Sequence, residues 1–579
     1  MSIDKRPQTN KFTVYQIFLR LFGNKKTNPE LNGGYTENGT GKFNDLSESA
    51  IRSIKDLGFT HIWLTGVIQH ASHSRYKNSG NIEGHPAIVK GKAGSPYAIT
   101  DFFEIDPDLA SSYKNRWIEF ESCIDRIHNQ GLKIIIDFVP NHTARQYSSP
   151  YAAKLGLTDL GQKDFKHEIF HPNNNYYYLP DQKLEIPFNL PDEDGRIYEE
   201  NPAKATGNDC FSPRPGVNDW YETVKLNYGF NYHNGQGYYF PIPSTWIYML
   251  EVLRFWASKN VDAFRCDMVE LVPVEFWEWA LPIIKTEHAE LIFIAEVYNP
   301  DLYQNYLFKG KFDCLYDKVG LYDTLRALVE EKGNANQISN VWQQQEGFGE
   351  RMLRFMENHD EQRMASDFVG KNAEKTLPAM AISAFMGKGP LMVYFGQELG
   401  EKAEGSAGFS GDDGKTTIFD YWHVPGIQKW DNEGNWNNEK LNDAELSLRN
   451  HYKNIIHFSQ NGVIEKGKFF DLQYANHGNG QYDSNKIYSF LRYDKDDIYL
   501  FINTFDIETA IIKLIVPHEA WHALGISNEV RCRLKMVIEG SNEIDFYVKT
   551  SFWSEGNSAG ILMPVKPFEY QIWKLDEIG

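Results

Sequence analysis

The sequence predicts an α/β protein built on a (β/α)8 TIM barrel, with an inserted domain after the third strand and a C-terminal antiparallel β-sandwich. Three observations indicate this architecture. Short apolar segments alternate with amphipathic helical segments from Phe12 to about Ser459. The alternation stops after Phe138 and resumes only near Trp246. After about Gln460 the helical pattern vanishes, and strands with alternating apolar residues follow.

The barrel strands are predicted from eight short apolar runs, as buried parallel strands require. These runs are Thr13–Leu19, His61–Leu64, Lys133–Phe138, Val261–Cys266, Leu291–Ala295, Phe312–Leu315, Met352–Met356 and Leu391–Phe395. The clearest helical segments between them are Leu46–Leu57, Trp117–Asn129, Trp246–Ser258 and Val274–Thr286. Gly58 and Gly131 mark the ends of the first two helices. Because strands and helices alternate throughout, we expect a closed parallel barrel.

The interruption after the third strand is too long to be a structureless loop in a compact domain, which predicts an inserted domain. The C-terminal strands are predicted at Ile487–Tyr493, Ile498–Phe505, Ile511–Val516, Leu534–Glu539, Asp545–Lys549 and Phe568–Lys574. They favour a sandwich of antiparallel sheets. We therefore expect the barrel at 1–140 and 241–459, the inserted domain at 141–240 and the C-terminal domain at 460–579.

Composition and charge argue against several classes of function. The chain carries 59 basic and 78 acidic residues, a net charge of −19, which disfavours binding to nucleic acid or to an anionic membrane. No apolar run has the length of a membrane span. The N-terminal residues contain no apolar leader, so we expect a cytoplasmic protein. The five cysteines are scattered without metal-ligand spacing, as free thiols would be.

Polar residues cluster where four predicted barrel strands end. Asp137 closes the third strand, Arg265 and Asp267 close the fourth, Glu296 closes the fifth and Asp360 follows the seventh. A parallel barrel carries its chemistry at the carboxyl ends of its strands, so these side chains converge on one face. We expect Asp267, Glu296 and Asp360 to be three carboxylates in one pocket.

The surroundings of two carboxylates predict different roles. Arg265 lies two residues before Asp267, on the same face of the strand, and should keep that carboxylate ionised, as a nucleophile requires. Glu296 follows an apolar run, so desolvation should raise its pKa, as a general acid requires. Two such carboxyls about 5–5.5 Å apart give a covalent glycosyl intermediate and retained stereochemistry.

Other polar residues at these strand ends are candidates for binding a sugar. His142 and His359 can donate hydrogen bonds to hydroxyl groups and to a developing charge, and Asp360 can favour a distorted ring. Taken singly, a strand-end aspartate or histidine is usually structural, and Arg265 with Asp267 could be a plain ion pair. Four such clusters ending four barrel strands favour a functional site.

These clusters resemble the four signature regions of the α-amylase family, glycoside hydrolase family 13. The regions read Asp137-Phe-Val-Pro-Asn-His142, Phe264-Arg-Cys-Asp267, Ile294-Ala-Glu-Val-Tyr298 and Phe355-Met-Glu-Asn-His-Asp360. The barrel, the insertion and the β-rich C-terminal domain resemble that family as well. The resemblance implies that Asp267 is the nucleophile, Glu296 the acid/base and Asp360 the stabiliser of the transition state.

The same resemblance implies further site residues. Arg265, His142 and His359 match residues that bind the sugar at the cleavage site, and Asp137 matches a supporting carboxylate. The segment Gly94-Ser-Pro-Tyr97 resembles one whose tyrosine stacks under the reacting sugar, which makes Tyr97 a candidate. The substrate implied is an α-glucan oligosaccharide or polysaccharide, with no nucleic acid or membrane partner, and the oligomeric state is left open.

The pattern departs from the family at its usual calcium site. Glu270 and Leu271 stand where many members have a Lys-His pair, and Lys225 replaces a calcium-binding aspartate, although Asn141 keeps its place. The lysine ammonium could occupy the position of the ion, because a cation beside oxygen ligands is what Ca²⁺ would supply. We therefore expect no required cofactor. The acidic stretch Asp192-Glu-Asp-Gly195 could bind a cation, but a solvated turn is the simpler interpretation.

The expected activity is a retaining hydrolase of α-1,4-glucosidic bonds in starch, glycogen or maltodextrins. The stretch from Asp267 to Trp279 also looks like the bacterial maltosyltransferases of the family, so an α-glucan transglycosylase is the first alternative. A non-catalytic glucan-binding protein is the second. Aromatic residues make up 14% of the chain, and Trp521, Trp553 and Trp573 of the C-terminal domain are possible sugar platforms, although packing is the more common role of such rings.

Overall fold

The computed structural model describes residues 11–74, 76, 84–188, 190–526, 530–538, 543–547 and 560–578. Eight parallel strands form a closed barrel in which each strand pairs with its neighbours in chain order and the eighth pairs with the first. From first to eighth, the barrel strands are Thr13–Phe18, His61–Thr65, Lys133–Phe138, Ala263–Cys266, Ile292–Ala295, Cys314–Tyr316, Met352–Phe355 and Leu391–Tyr394. The predicted barrel is confirmed, with strand ends that differ by a few residues.

Helices pack around the barrel and cover the outer face of its strands. The principal helices are Glu48–Asp56, Arg116–Asn129, Ser244–Ala257, Val274–Glu287, Asp323–Val329, Asn336–Gln344, Leu377–Phe385, Pro425–Asp431 and Asp443–Ser459. The first of them begins where the Ser47 side chain accepts a hydrogen bond from the Ala50 backbone, and Gly58 follows its end in the left-handed region at φ 102°. Between the fifth and sixth strands only short helical turns, Pro300–Leu302 and Asn305–Lys309, make the connection.

Three short antiparallel strand pairs lie between the third and fourth barrel strands. They join His142–Ala144 to Thr223–Lys225, Tyr178–Leu179 to Ala203–Lys204, and Phe230–Asn231 to Gln236–Gly237. Most of this segment has no regular secondary structure. Side-chain hydrogen bonds hold it together instead, such as the two backbone groups of Asn175 and Tyr176 that donate to the carboxylate of Asp164.

The C-terminal region contains two antiparallel sheets with a shared apolar core. The six-stranded sheet is built from Lys468–Asp471, Ile487–Tyr493, Ile498–Thr504, Tyr570–Glu577, Arg531–Met536 and Glu543–Tyr547. The two-stranded sheet pairs Ala510–Leu514 with Ile561–Val565. Both sheets contribute to one cluster of buried residues, which includes Leu500, Ile512 and Met563. The predicted sandwich is therefore confirmed.

One expectation for this region was wrong. The helical pattern does not vanish after Gln460, because the chain forms the helices Gly462–Glu465, Gln473–Asn476 and His518–Leu524. These segments are too short to carry a clear helical period. Trp521 and Trp573 are 1% and 0% exposed, so packing is their role, as expected for at least two of the three tryptophans, although they pack in the sandwich core and not against the barrel. Trp553 lies outside the described residues.

All five cysteines are free thiols, as the sequence predicted. Cys123, Cys266, Cys314 and Cys532 are buried, and Cys210 is partly exposed. No helix in the described part of the chain combines the length and apolar character needed to cross a bilayer.

Candidate active site

The third and fourth barrel strands bring Asp137 and Arg265 together. The two residues are direct partners in the register of this parallel pair, which places their side chains side by side. The Asp137 carboxylate accepts a hydrogen bond from the indole of Trp63 at 3.1 Å and lies 3.5 Å from the Arg265 guanidinium. Burial raises the pKa of Asp137 to about 6, and Arg265 and Trp63 limit that rise.

Arg265 is the central charge of the site. Its side chain is fully buried, and its guanidinium reaches Asp267 Oδ1 at 2.7 Å through Nη1 and Glu296 Oε1 at 2.7 Å through Nη2. Its Nε donates to the hydroxyl of Tyr316 at 3.2 Å. One planar cation therefore contacts the carboxylates of both Asp267 and Glu296. The two carboxylates lie close together because they contact neighbouring nitrogens of the same guanidinium.

Asp267 ends the fourth strand and lines the cleft, and one of its carboxylate oxygens is unpaired within the described part of the chain. Oδ1 is held by Arg265, whereas Oδ2 has no hydrogen-bond partner among the described residues. Burial raises the pKa of Asp267 well above its ordinary range; Arg265 lowers it, and Glu296, Asp360 and Asp137 raise it further. Arg265 thus acts in the expected direction, by lowering this pKa, but burial is the larger effect.

Glu296 ends the fifth strand, and two hydrogen-bond donors and one ion-pair partner surround its carboxylate. Besides the ion pair with Arg265, Oε1 accepts from the hydroxyl of Tyr298 at 2.7 Å and Oε2 accepts from the backbone N–H of Met268 at 2.8 Å. Met268 adopts φ 42°, in the left-handed region that side-chain-bearing residues rarely use. The strand before Glu296 is apolar and the residue is 2% exposed, as expected, but polar groups engage its carboxylate.

His359 lies behind the cleft in a chain of hydrogen-bonding groups. Its Nδ1 is 2.9 Å from the Gln16 side-chain nitrogen, and its Nε2 is 2.6 Å from the hydroxyl of Tyr97 and 3.0 Å from Asp360 Oδ2. Burial lowers the pKa of His359 well below its ordinary value, and Arg265 lowers it further, so the ring is neutral. Because the Gln16 amide donates to Nδ1, Nε2 carries the proton and donates to the Tyr97 hydroxyl, with Asp360 close beside it.

The neutral His359 positions two residues that line the cleft. The Tyr97 ring lies 5.2 Å from the His359 ring in a stacked arrangement, and its hydroxyl also contacts Asp137 at 3.4 Å. The Asp360 side chain is 37% exposed, so it faces the cleft. Desolvation in the cleft raises the pKa of Asp360, against the lowering effect of Arg265 and Lys415.

His142 stands where the inserted segment joins the cleft. Its backbone pairs with Lys225 across a short antiparallel ladder, and its ring lies 5.4 Å from that of Trp220. The Asn141 side-chain amide lies 3.2 Å from His142 Nδ1. Burial lowers the pKa of His142 to about 3, with a further contribution from Lys225, so the ring is neutral.

These elements enclose a cleft of about 520 Å³ at the carboxyl end of the barrel. The predicted residues among its lining are Tyr97, His142, Asp267, Glu296 and Asp360. The other three predicted site residues, Asp137, Arg265 and His359, are buried directly behind the lining and act on it through the contacts above. The structure thus brings all eight together, in two layers.

Sequence reasoning missed several residues of this site. Trp220, Tyr298 and Phe419 contribute rings to the cleft, and Lys318 and Glu361 contribute charges. Gln16 was also missed, although a polar residue in the middle of the apolar first strand is a signal that could have found it. Tyr298 carries a similar signal, since it follows Glu296 by two residues.

Lys225 occupies the centre of a cluster of oxygen atoms beside His142. Its ammonium is 2.7 Å from Asn141 Oδ1, 3.1 Å from the carbonyl oxygen of Leu271 and 2.5 Å from Asp209 Oδ1, and the residue is 1% exposed. Burial lowers the pKa of Lys225, and Asp209 opposes that shift. The Asn141 amide, held by Lys225, in turn contacts His142, so the ammonium helps to orient a residue of the cleft.

The remaining departures from the family pattern also have structural roles. Glu270 accepts hydrogen bonds from the backbone N–H groups of Tyr298 and Asn299 at 3.1 and 2.9 Å, and so fixes the loop that follows Glu296.

The acidic stretch Asp192-Glu-Asp-Gly195 forms an exposed turn in which Arg196 pairs with Asp192 at 2.8 Å and with Asp194 at 2.6 Å. The interpretation of that stretch as a solvated turn is confirmed, with an arginine as its cation.

Comparison with known proteins identifies a related family. A family model described as the catalytic domain of alpha amylase matches residues 34–445 of the chain. The crystal structure of α-amylase from Geobacillus thermoleovorans, complexed with acarbose, superposes with a TM-score of 0.61 at 18% identity and covers 99% of this chain and 100% of that chain. At that identity the superposition supports the fold alone.

Two relatives illustrate the range of activities in related sequences. The α-amylase MalA of Haloarcula japonica is 25% identical over 397 residues, which cover 67% of this chain and 44% of that protein. The α-1,4-glucan:maltose-1-phosphate maltosyltransferase of Cereibacter sphaeroides is 23% identical over 310 residues, which cover 51% of this chain and 40% of that protein. The matched part of this chain therefore spans less than half of the length of either relative.

Proposed function

Because the chain belongs to the α-amylase family of glycoside hydrolases, we propose that it is a retaining hydrolase of α-1,4-glucosidic bonds in starch, glycogen or maltodextrins. The observation that carries the proposal is the arrangement of Asp267 and Glu296 on one buried guanidinium, with Asp360 in the same cleft. Close carboxyls are the arrangement that a covalent glycosyl intermediate requires.

In the first step the Asp267 carboxylate, which lines the cleft, attacks the anomeric carbon. The bond from that carbon to the glycosidic oxygen breaks, and its electron pair stays on the oxygen, which takes a proton from Glu296. Arg265 holds Asp267 Oδ1 at 2.7 Å and so fixes the orientation of the attacking carboxylate. Asp360 is the group placed to accept hydroxyl hydrogen bonds from the distorted ring.

In the second step a water molecule gives its proton to the Glu296 carboxylate and its oxygen attacks the anomeric carbon from the opposite face. The bond to Asp267 breaks, and two inversions leave the α configuration of the substrate. The two hydrogen-bond donors and the Arg265 cation around Glu296 stabilise its carboxylate at the stage when it must act as a base.

The first alternative is transfer of the glycosyl group to a sugar or to phosphate in place of water. The similarity to the Cereibacter sphaeroides maltosyltransferase favours it as a second candidate. Both reactions use the same glycosyl-enzyme, so the carboxylates alone do not separate them. A purely glucan-binding protein is the weaker alternative, because it has no need for a nucleophile, an acid and an arginine in this geometry.

Product chromatography with maltoheptaose, with and without inorganic phosphate, tests the proposal. We expect only shorter products, released as α-anomers, and no effect of phosphate. Products longer than maltoheptaose would make the protein a transglycosylase, and a phosphate-dependent glycosyl phosphate would make it a maltosyltransferase. If neither condition gives turnover while the protein still binds glycogen, a non-catalytic glucan-binding protein is the better description.

We also propose that the Lys225 ammonium takes the place of a structural cation and that no metal is required. Asn141, Leu271 and Asp209 offer it three oxygen atoms of the kind that Ca²⁺ prefers. The ammonium supplies the positive charge and fixes the inserted segment to the loop after the fourth strand. The three oxygen contacts explain how a lysine that is 1% exposed can be accommodated at this point.

Replacement of this ammonium should destabilise the protein. We expect Lys225→Met to lose about 1–3 kcal/mol of unfolding free energy, because the Asn141 side-chain oxygen and the Leu271 carbonyl lose their donor and the partly exposed Asp209 carboxylate loses its partner. Thermal melting with and without a chelator measures this: the wild-type midpoint should not respond to the chelator, and added Ca²⁺ should partly restore the variant.

Lys204→Met is the matched control: the Lys204 side chain is 17% exposed against 2% for Lys225, and Glu200 keeps Arg145 as a partner, so the loss should be less than about 1 kcal/mol. A chelator-sensitive wild type would contradict the proposal.

A further inference from the structure

A second groove lies at the junction of the barrel and the C-terminal region. The barrel helix Asn336–Gln344 forms one wall, and the strand Lys468–Asp471 with the helix Gln473–Asn476 forms the other. The groove has a volume of about 670 Å³ and shares no lining residue with the catalytic cleft. It is therefore a separate feature of the molecule.

The barrel helix presents a polar face to this groove. Asn336, Ser339, Asn340 and Gln343 line it, and their spacing of three and four residues places them on one side of the helix. The Gln343 side-chain amide has no hydrogen-bond partner among the described residues, and Asn340 donates only to Gln337. Asn336 is hydrogen-bonded to Asn334 and Gln473, but Gln343 and the side-chain oxygen of Asn340 offer hydrogen-bonding groups that no described residue uses.

Aromatic rings accompany these amides. Trp342 and Tyr474 are 38% and 58% exposed, whereas aromatic rings of this size are usually more buried. The Trp342 ring is backed by Phe469 at 5.0 Å between centroids, and Tyr474 lies 6.5 Å from Phe470. Two exposed rings, each supported by a phenylalanine, form a firm apolar surface.

The lining of the groove selects a neutral ligand. Among the described residues that line it, Asp471 is the one carboxylate and no lysine or arginine is present; Lys468, at the start of the wall strand, lines a neighbouring pocket instead. An anionic or cationic ligand would find little opposite charge here. Apolar ring faces beside unpaired amides suit a molecule with both apolar faces and hydroxyl groups, which is the chemistry of a pyranose ring.

We propose that this groove is a second, non-catalytic binding site for an α-glucan chain. The proposal rests on the proposed function for the choice of glucan, and the neutral amide and aromatic lining supports a carbohydrate independently. Trp342 and Tyr474 are the stacking residues, and Gln343 and Asn340 are the hydroxyl partners. The site holds a long polymer on the protein while the cleft acts on another part of the same or a neighbouring chain.

The test measures glucan binding separately from turnover. Two full-length proteins are compared in native gels with and without glycogen. One carries Asp267→Asn alone, and the other carries Asp267→Asn together with Trp342→Ala and Tyr474→Ala. We expect glycogen to retard the Asp267→Asn protein, and the double substitution to weaken that binding by about fivefold. Phe308→Ala, which removes a ring that is 49% exposed outside the groove, is the matched control and should leave retardation unchanged.

In the active protein the same two substitutions should raise KM for glycogen and leave kcat/KM for maltotriose unchanged, because a short substrate does not reach both sites. Gln343→Ala, a milder change, should weaken retardation in the same direction and guards against misfolding of the double variant. Equal retardation with and without Trp342 and Tyr474 would overturn the proposal, even if the protein is an active hydrolase. If the groove substitutions weaken glycogen binding but the protein turns over no glucan, the proposed function would be wrong and the groove would still be a glucan-binding site.

Discussion

Replacement of Asp267 by asparagine should lower kcat on maltoheptaose on the order of 10⁴-fold, with little change in binding. The amide keeps the shape of the side chain and one acceptor oxygen near Arg265, but it lacks the charge needed to attack the anomeric carbon. Initial rates measured at saturating substrate, together with binding of the variant to maltoheptaose, separate the loss of chemistry from a loss of affinity.

A change in the leaving group distinguishes the nucleophile from the acid. Glu296→Gln should be nearly inactive on maltoheptaose, whose glycosidic oxygen needs a proton, but should still cleave an aryl maltoside whose phenolate leaves without one. Asp267→Asn should be inactive on both substrates. If the aryl maltoside rescued Asp267→Asn and not Glu296→Gln, the two assigned roles would have to be exchanged.

The positions of the carboxylates could be predicted because they depend on chain topology. Asp137, Asp267, Glu296 and Asp360 each follow an apolar run, and a closed parallel barrel brings the ends of those runs together whatever the loops do. The boundaries of the strands also differ from prediction by only a few residues, because buried strands consist of apolar runs that are easily recognised in the sequence.

The ionisation of the site could not be predicted in the same way, because it depends on contacts between residues distant in sequence. The apolar strand before Glu296 suggested a desolvated acid, yet Tyr298 and the backbone of Met268 donate to its carboxylate. Arg265 suggested a low pKa for Asp267, yet complete burial of the site has the larger effect. Gln16, which fixes the tautomer of His359, lies 343 residues from it along the chain.

Arg265→Met should destabilise the protein by about 3–5 kcal/mol at neutral pH and lower kcat by about 10³-fold. Methionine retains an apolar stem that can pack among the rings of Trp63, Tyr97 and Tyr316, which surround the guanidinium at 5.4–5.5 Å. What it removes is the single positive charge that contacts Asp137, Asp267 and Glu296. Three buried carboxylates would then lack their countercharge.

The destabilisation should depend on pH in a direction set by those carboxylates. Burial already raises the folded-state pKa of Asp137 to about 6 and that of Asp267 well above its ordinary range, and loss of Arg265 raises both further. Between the ordinary value near 4 and the raised values, the folded state binds more protons than the unfolded state, so stability falls as pH rises. The difference in melting temperature between variant and wild type should therefore be larger at pH 7.5 than at pH 5.

Arg449→Met provides the matched control for a buried arginine outside the cleft. Arg449 is 4% exposed, pairs with Glu398 at 3.1 Å and lies over the Trp430 ring at 4.0 Å. Its loss should also destabilise the fold, but the protein that remains folded should keep its kcat, because no carboxylate of the cleft contacts it. Equal loss of kcat in both variants would mean that Arg265 acts only through stability; a loss confined to Arg265→Met would identify its charge as the group that positions the nucleophile and the acid together.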